Sequence, residues 1–198
     1  MRFLAAALAA LGLTAGSVAS ADDFPSRPVS LIVPYAPGGS QDTIARLLAD
    51  ELGRQLGGTV VVENKTGGGT TVGHGFVARS KPDGYTLILS TPAGISVAPY
   101  LRSDMTYDPF TDLVPVALLN ETALAFAVAE QSEIANFPAL MAKIKAGDRI
   151  TFGSAGIGSS GHLVGELFNV EAGASMVHVP YGGSGPAFKA VLDGEVNL

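Results

Sequence analysis

The chain has 198 residues, 47% hydrophobic and 15% charged, a balance that excludes a disordered chain and suits one globular domain or two small ones. Lysine and arginine number 12 against 18 aspartates and glutamates, giving a net charge of −6 with no basic cluster, so nucleic acid is not an expected partner. There is no cysteine, which removes disulfides and thiol chemistry.

Residues 1–21 read as a signal peptide. Arg2 supplies a short positive start, residues 3–13 form an apolar stretch too short to span a bilayer, and Ala19-Ser20-Ala21 fits the small-residue cleavage pattern. The expected mature start is Asp22, and the expected location is outside the cytoplasm. No later run reaches spanning length, because Asn120, Glu121 and Thr122 interrupt the most apolar region.

The apolar run 29–33 predicts a buried strand, ended by Pro34 and Pro37. Gly38 and Gly39 then permit backbone geometries that a side chain forbids. Ile44, Ala45, Leu47, Leu48, Leu52 and Leu56 recur at helical spacing, with Ser40 or Gln41 expected near the cap and Asp42 in the first turn. Strand, glycine turn and helix start together form an anion seat, where free N–H groups and the positive end of the helix dipole converge. Residues 59–63 predict a second strand, 64–69 a glycine loop and 72–80 a helix. Residues 82–84 predict a turn and 85–90 a third strand ending at Thr91, Pro92 and Gly94.

A turn-rich stretch over 107–115 leads to strand character at 116–119 and another apolar run at 123–129, with a domain crossover expected near Glu121. Asn136 is the expected cap of a helix over 137–146. A strand over 149–153, a glycine-serine loop over 154–161 and a helix from His162 follow. The next strand, loop and helix are expected at 176–179, 180–186 and 187–192, and residues 195–198 read as an opening strand. Successive βα units of this length imply parallel sheet covered by helices. Four glycine loops, at 37–40, 67–69, 156–161 and 182–185, each follow a strand and precede a helix. Loops at the carboxyl ends of strands face a common crevice, so loops from two lobes are expected to close on one ligand.

Other chemistries fit less well. Residues 156–161 match G-x-G-x-x-G, but the following strand ends in Pro180 and Tyr181 with no acid for a ribose hydroxyl. His74 stands where a phosphate-binding loop needs lysine, and His74, His162 and His178 lack zinc spacing. Neither a cofactor nor a metal is expected. An exported hydrolase using a serine of the 154–160 loop is the rival from another class, although no serine sits in G-x-S-x-G. A sensor presenting its ligand to a membrane kinase is a third reading.

FPSRPV at 24–29, IVPYAPGGSQD at 32–42, VVEN at 61–64, PDGYTL at 82–87, YDP at 107–109, PV at 115–116, GSAGIGSSGH at 153–162 and HVPY at 178–181 together resemble the Bug family. These are the extracytoplasmic solute receptors of tripartite tricarboxylate transporters, and the match covers nearly all of the mature chain. The resemblance implies an α/β, type II periplasmic-binding-protein fold with two lobes around a cleft. The lobes would be 22–121 and 122–198, the second incomplete because the family continues past Leu198, so that the chain reads as truncated. It also implies a periplasmic, monomeric, non-enzymatic receptor for a small organic carboxylate, with two membrane transporter subunits as partners.

Carried onto this sequence, the first-lobe contacts would be Tyr35, Pro37, Gly38, Gly39, Ser40 and Asp42, and the second-lobe contacts Ser154, Ala155, Gly156, Gly158, Ser159 and His162. Asn64, Ser90, Thr91 and Tyr181 would line the remainder. Asp42 is read as orienting N–H groups or water and not as touching a carboxylate. Thr70, Thr71, His74 and Gly182 depart from the family pattern, and these are the positions where ligand preference is expected to change.

Overall fold

In the computed structural model, which describes residues 24–198, β1 (Val29–Val33) is the central strand of a three-stranded sheet of order β2-β1-β3. The expected signal peptide and its cleavage point at Asp22 lie outside the described residues. β2 (Val60–Asn64) and β3 (Thr86–Ile88) both run parallel to β1, with Val29 opposite Val60 and Ile32 opposite Ile88. A central parallel strand is covered on both faces, and four of the five β1 residues are buried accordingly. Leu31, Val33 and Tyr35 pack with Leu89 and with Ala45 and Ala49 of α1 (Ser40–Leu56).

The start of α1 differs from expectation. Its cap is Gly39, without a side-chain cap bond, so Ser40 and Gln41 lie inside the helix. Asp42 lies in the first turn as expected, and its carboxylate reaches back past the cap to the Gly38 N–H. At the far end Gly57 takes φ 65°, the left-handed conformation that stops a helix without Cβ strain.

A short 3₁₀ turn (Gly68–Thr70) precedes α2 (Thr71–Ala78). After β3 the sequence predicts no helix, but a π-helical turn (Ala93–Val97) runs into α3 (Ala98–Leu101). Tyr107 anchors this turn, its hydroxyl donating to the Gly94 carbonyl at 2.6 Å. Residues 116–119, expected to regain strand character, and the apolar run 123–129 join no ladder, and Val116, Leu118 and Leu124 are exposed. β propensity needs a neighbouring strand edge to express itself, and among the described residues none pairs with this segment.

α4 (Phe137–Ala146) is capped as expected, Asn136 Oδ1 accepting from the Ala139 N–H at 2.9 Å. β4 (Thr151–Ser154) and β5 (Val177–Pro180) form a second, parallel pair with Thr151 opposite Val177. They alternate with α5 (Ser160–Ala172) and α6 (Ser184–Leu192). Residues 197–198 lie along β4: Gly153 N–H donates to the Leu198 carbonyl at 2.8 Å, and Leu198 N–H to the Thr151 carbonyl at 3.1 Å. Leu198 is buried with Leu140, Ile150 and Phe152.

α5 crosses β4 at Gly165, where an added Cβ would stand 2.2 Å from Phe152 Cε2. Phe152 is buried in the second core, so its ring has no room to retreat. Gly165→Ala is therefore expected to cost about 1–3 kcal/mol, read as a lower urea midpoint, the size of other overpacking substitutions. An unchanged midpoint would contradict this packing.

Candidate functional site

Every strand of both sheets sends its carboxyl end to one cavity of about 440 Å³, within the range of small-molecule sites. Pro34 and Tyr35 follow β1, residues 67–70 follow β2, and Ala93, Ala98, Leu101 and Arg102 follow β3. Residues 155–158 follow β4, and residues 180–182 close β5. The wall is mostly glycine and apolar residues, with Tyr35, Thr70 and Tyr181 as its uncharged polar members. Among the described residues Arg102 is its one charged member.

Glycine makes this convergence possible. Gly69, at φ 63°, approaches the second sheet so closely that a Cβ would stand 2.8 Å from the Ile157 carbonyl oxygen. At Gly185 a Cβ would meet the Gly38 carbonyl oxygen at 2.9 Å. Beside that contact Ala36 N–H donates to the Gly182 carbonyl at 2.8 Å, and Ser40 N–H to Ser184 Oγ at 3.0 Å. Each glycine loop of the first sheet thus meets one of the second.

Asp42, only 4% exposed, is the hub of the β1–α1 loop. Its Oδ2 accepts from Gly38 N–H at 2.9 Å and Arg46 Nε at 3.0 Å; its Oδ1 accepts from Arg46 Nη2 and Asn64 Nδ2, both at 2.9 Å. Asn64 Nδ2 also donates to the Tyr35 carbonyl at 3.0 Å, tying the end of β2 to the end of β1. Hydrogen bonding from Arg46 dominates the titration of Asp42. It outweighs the upward push of burial and, with Gly38 and Asn64, holds the carboxyl down to about 2. Asp42 thus accepts from a main-chain N–H of its own loop and is not among the residues of the cavity wall.

The serine loop is similarly self-contained. Ser154 Oγ accepts from Gly156 N–H at 3.1 Å and lies 2.6 Å from His178 Nε2. Ser159 caps α5, and its hydroxyl donates to Ser154 Oγ at 3.2 Å. Gly158 N–H donates to His162 Nδ1 at 3.1 Å, so that nitrogen is not available to donate to a ligand, and Nε2 lies 3.9 Å from Glu166. Burial first, and then the charge of neighbouring His162, push His178 down to about 4. A histidine held that low is a weak base at neutral pH, and Ser154 and Ser159 are each 5% exposed, so the pair makes a poor nucleophilic centre.

His74, the departure expected to affect ligand preference, is fully buried beneath the site. Its Nδ1 donates to the Thr70 carbonyl at 2.9 Å, so Nε2 accepts from Ser90 Oγ at 2.7 Å, a neutral tautomer that burial favours by lowering its pKa. Its ring stacks on Tyr107 at 5.6 Å. Thr91 Oγ1 lies 2.7 Å from the Tyr35 hydroxyl, whose pKa burial raises.

Of the residues expected at the site, Tyr35, Ala155, Gly156, Gly158 and Tyr181 reach the cavity wall. Gly38, Gly39 and Ser40 belong to the seam with residues 182–185, and Pro37 is not among the residues of the cavity wall. Asp42, Asn64, Ser90, Thr91, Ser154, Ser159 and His162 stand behind the wall. Sequence reasoning missed Ala93, Ala98, Leu101 and Arg102. The only available signal was a lone arginine after an apolar run, which is too common to single out a site.

Residues 44–198 match the family described as "Tripartite tricarboxylate transporter family receptor". Protein BugT of Bordetella pertussis is 40% identical over 196 residues, covering 96% of this chain and 60% of BugT. A protein of R. palustris solved with adipate superposes with TM-score 0.85 at 32% identity, over 88% of this chain and 59% of that one. MatC from Rhodopseudomonas palustris with bound malate gives 0.80 at 32% identity, over 88% and 60%. The fold is therefore that of periplasmic binding proteins, and the chain spans about 60% of the length of the relatives it matches.

Asp42 yields a test of the loop. Because its carboxyl titrates lower in the folded chain than the ordinary 3.8, the unfolded chain binds the proton more readily. Its contribution is complete above that ordinary value and is lost as pH falls toward about 2. Urea midpoints of the native chain are expected to fall more steeply over that window than those of Asp42→Asn. Asp42→Ala is expected to cost about 1–3 kcal/mol at neutral pH, by leaving buried N–H groups unpaired. Parallel pH profiles for the native chain and Asp42→Asn would contradict the assignment.

Proposed function

This chain belongs to the Bug family of tripartite tricarboxylate transporter receptors, and from that premise we propose that it captures a small organic carboxylate in the periplasm without chemical conversion. The receiving partner would be a pair of integral-membrane transporter subunits, the receptor acting as a monomer. One observation supports the reading above others: the loops after all five strands wall a single cavity, where open α/β sheets place their ligands. Adipate and malate in two solved relatives support the ligand class.

The lobes would be residues 22–121 and 122–198, carrying the two sheets. Tyr35, Ala155, Gly156, Gly158 and Tyr181, together with residues 67–70, would surround the ligand. Asp42, Asn64, Ser90, Thr91, Ser154, Ser159 and His162 would hold that wall from behind, while residues 38–40 would join the lobes at the seam. Each neutral hydrogen bond to the ligand would contribute about 0.5–1.5 kcal/mol net.

Isothermal titration against mono-, di- and tricarboxylates, amino acids and aromatic acids tests the proposal. At least one carboxylate should saturate at one site per chain. At a hundredfold excess over Kd it should also stabilise the chain by about 2.7 kcal/mol. Absence of heat and of stabilisation with every member of the panel would contradict it.

A further inference from the structure

Of the residues that wall the cavity, one carries a formal charge, and it is positive in a chain of net charge −6. Arg102 follows α3 directly, and α3 is pressed toward the second sheet: a Cβ at Gly158 would stand 3.5 Å from Leu101 Cδ1. The guanidinium has two edges. Asp104 takes one, with Nε donating to Oδ1 at 2.9 Å and Nη2 to Oδ2 at 2.6 Å. On the other, Nη1 reaches only the Gly68 carbonyl at 3.5 Å, and Gly68 is itself part of the wall. A 3.5 Å contact is at the outer limit of a hydrogen bond, so a stronger acceptor entering the cavity displaces it at small cost.

Four of the main-chain amides expected to seat an anion are already engaged, while among the described residues the N–H groups of Ala155 and Ile157 in the wall stay open to add neutral hydrogen bonds beside a charged anchor. Gly38 N–H is held by Asp42, Ser40 N–H by Ser184, Gly156 N–H by Ser154 and Gly158 N–H by His162. We infer that Arg102 is the carboxylate anchor of the cavity: it offers its inward edge to one carboxylate of the ligand and makes that charge a condition of binding. Arginine suits this role because its planar fork matches a carboxylate through paired, charge-assisted hydrogen bonds. Asp104 outside fixes the plane of the guanidinium, so little side-chain freedom remains to be lost on binding. The inference rests on the carboxylate-capture reading and narrows it to one residue.

The test compares adipate with its uncharged diamide on the native chain, Arg102→Gln and Arg102→Lys by isothermal titration, with thermal melts of all three. The native chain should prefer adipate, and Arg102→Gln should reduce that preference at least tenfold. Arg102→Lys, which keeps the charge and a partner for Asp104 but loses the fork, should recover part of it. Equal adipate affinity for the native chain and Arg102→Gln would overturn the anchor while leaving capture intact. Equal losses for Gln and Lys would assign the effect to the fold and not to charge, and would also overturn the anchor. Absence of binding by the native chain to adipate and to every other carboxylate would remove the capture reading itself, and the anchor with it.

Discussion

Two backbone contacts with no room for a Cβ govern the arrangement of this chain. At one, Gly185 lies against the Gly38 carbonyl; at the other, Gly69 lies against the Ile157 carbonyl. Each joins a loop of the β2-β1-β3 sheet to a loop of the β4-β5 pair. A side chain at either glycine would force the loops apart by more than the few tenths of an ångström that packed atoms yield. The shared cavity is a consequence, since residues 67–70 and 155–158 form two of its walls.

Where the loops approach so closely, most of their polar side chains are satisfied from within the chain, Thr70 Oγ1 being buried without a partner among the described residues. Asp42 acts as a built-in anion at the start of α1, occupying the place where the helix dipole would otherwise attract an external one. On the second sheet Ser154, Ser159 and His162 do the same with hydroxyls and an imidazole. Beneath the first sheet His74 links the Thr70 carbonyl to Ser90, and it fits only because Gly94 lacks a Cβ, which would fall 2.1 Å from His74 Cε1. Side chains behind the wall are thus held by one another, and among the described residues Arg102 is the one charged residue of the wall.

The local grammar of the sequence carried most of the fold. Apolar runs bounded by proline and glycine located all five strands within a few residues, and Asn136 named its own helix start. What escaped depended on partners distant in sequence. The π-helical turn at 93–97 needs Tyr107 to hold the Gly94 carbonyl, a contact that no window around residue 95 contains. The stretch 116–119 has strand composition but pairs with no strand among the described residues. At the site, glycine spacing identified the loops and not which amides remain open, because Asp42, Ser184 and His162 fill them through side-chain geometry. Arg102 escaped for a related reason: its place in the wall is set by Leu101 meeting Gly158 across the cavity.

Amide NMR spectra recorded during a titration with adipate test the convergence of these loops most directly. The cavity at the strand ends predicts that amides of residues 67–70, 101–102, 155–158 and 181–182 shift together along one binding curve, with residues 131–134 and 194–197 unmoved. Shifts confined to the latter segments, most of whose residues line a separate hollow of about 290 Å³, or shifts in the loops of one sheet alone, would contradict a binding site shared between the two sheets.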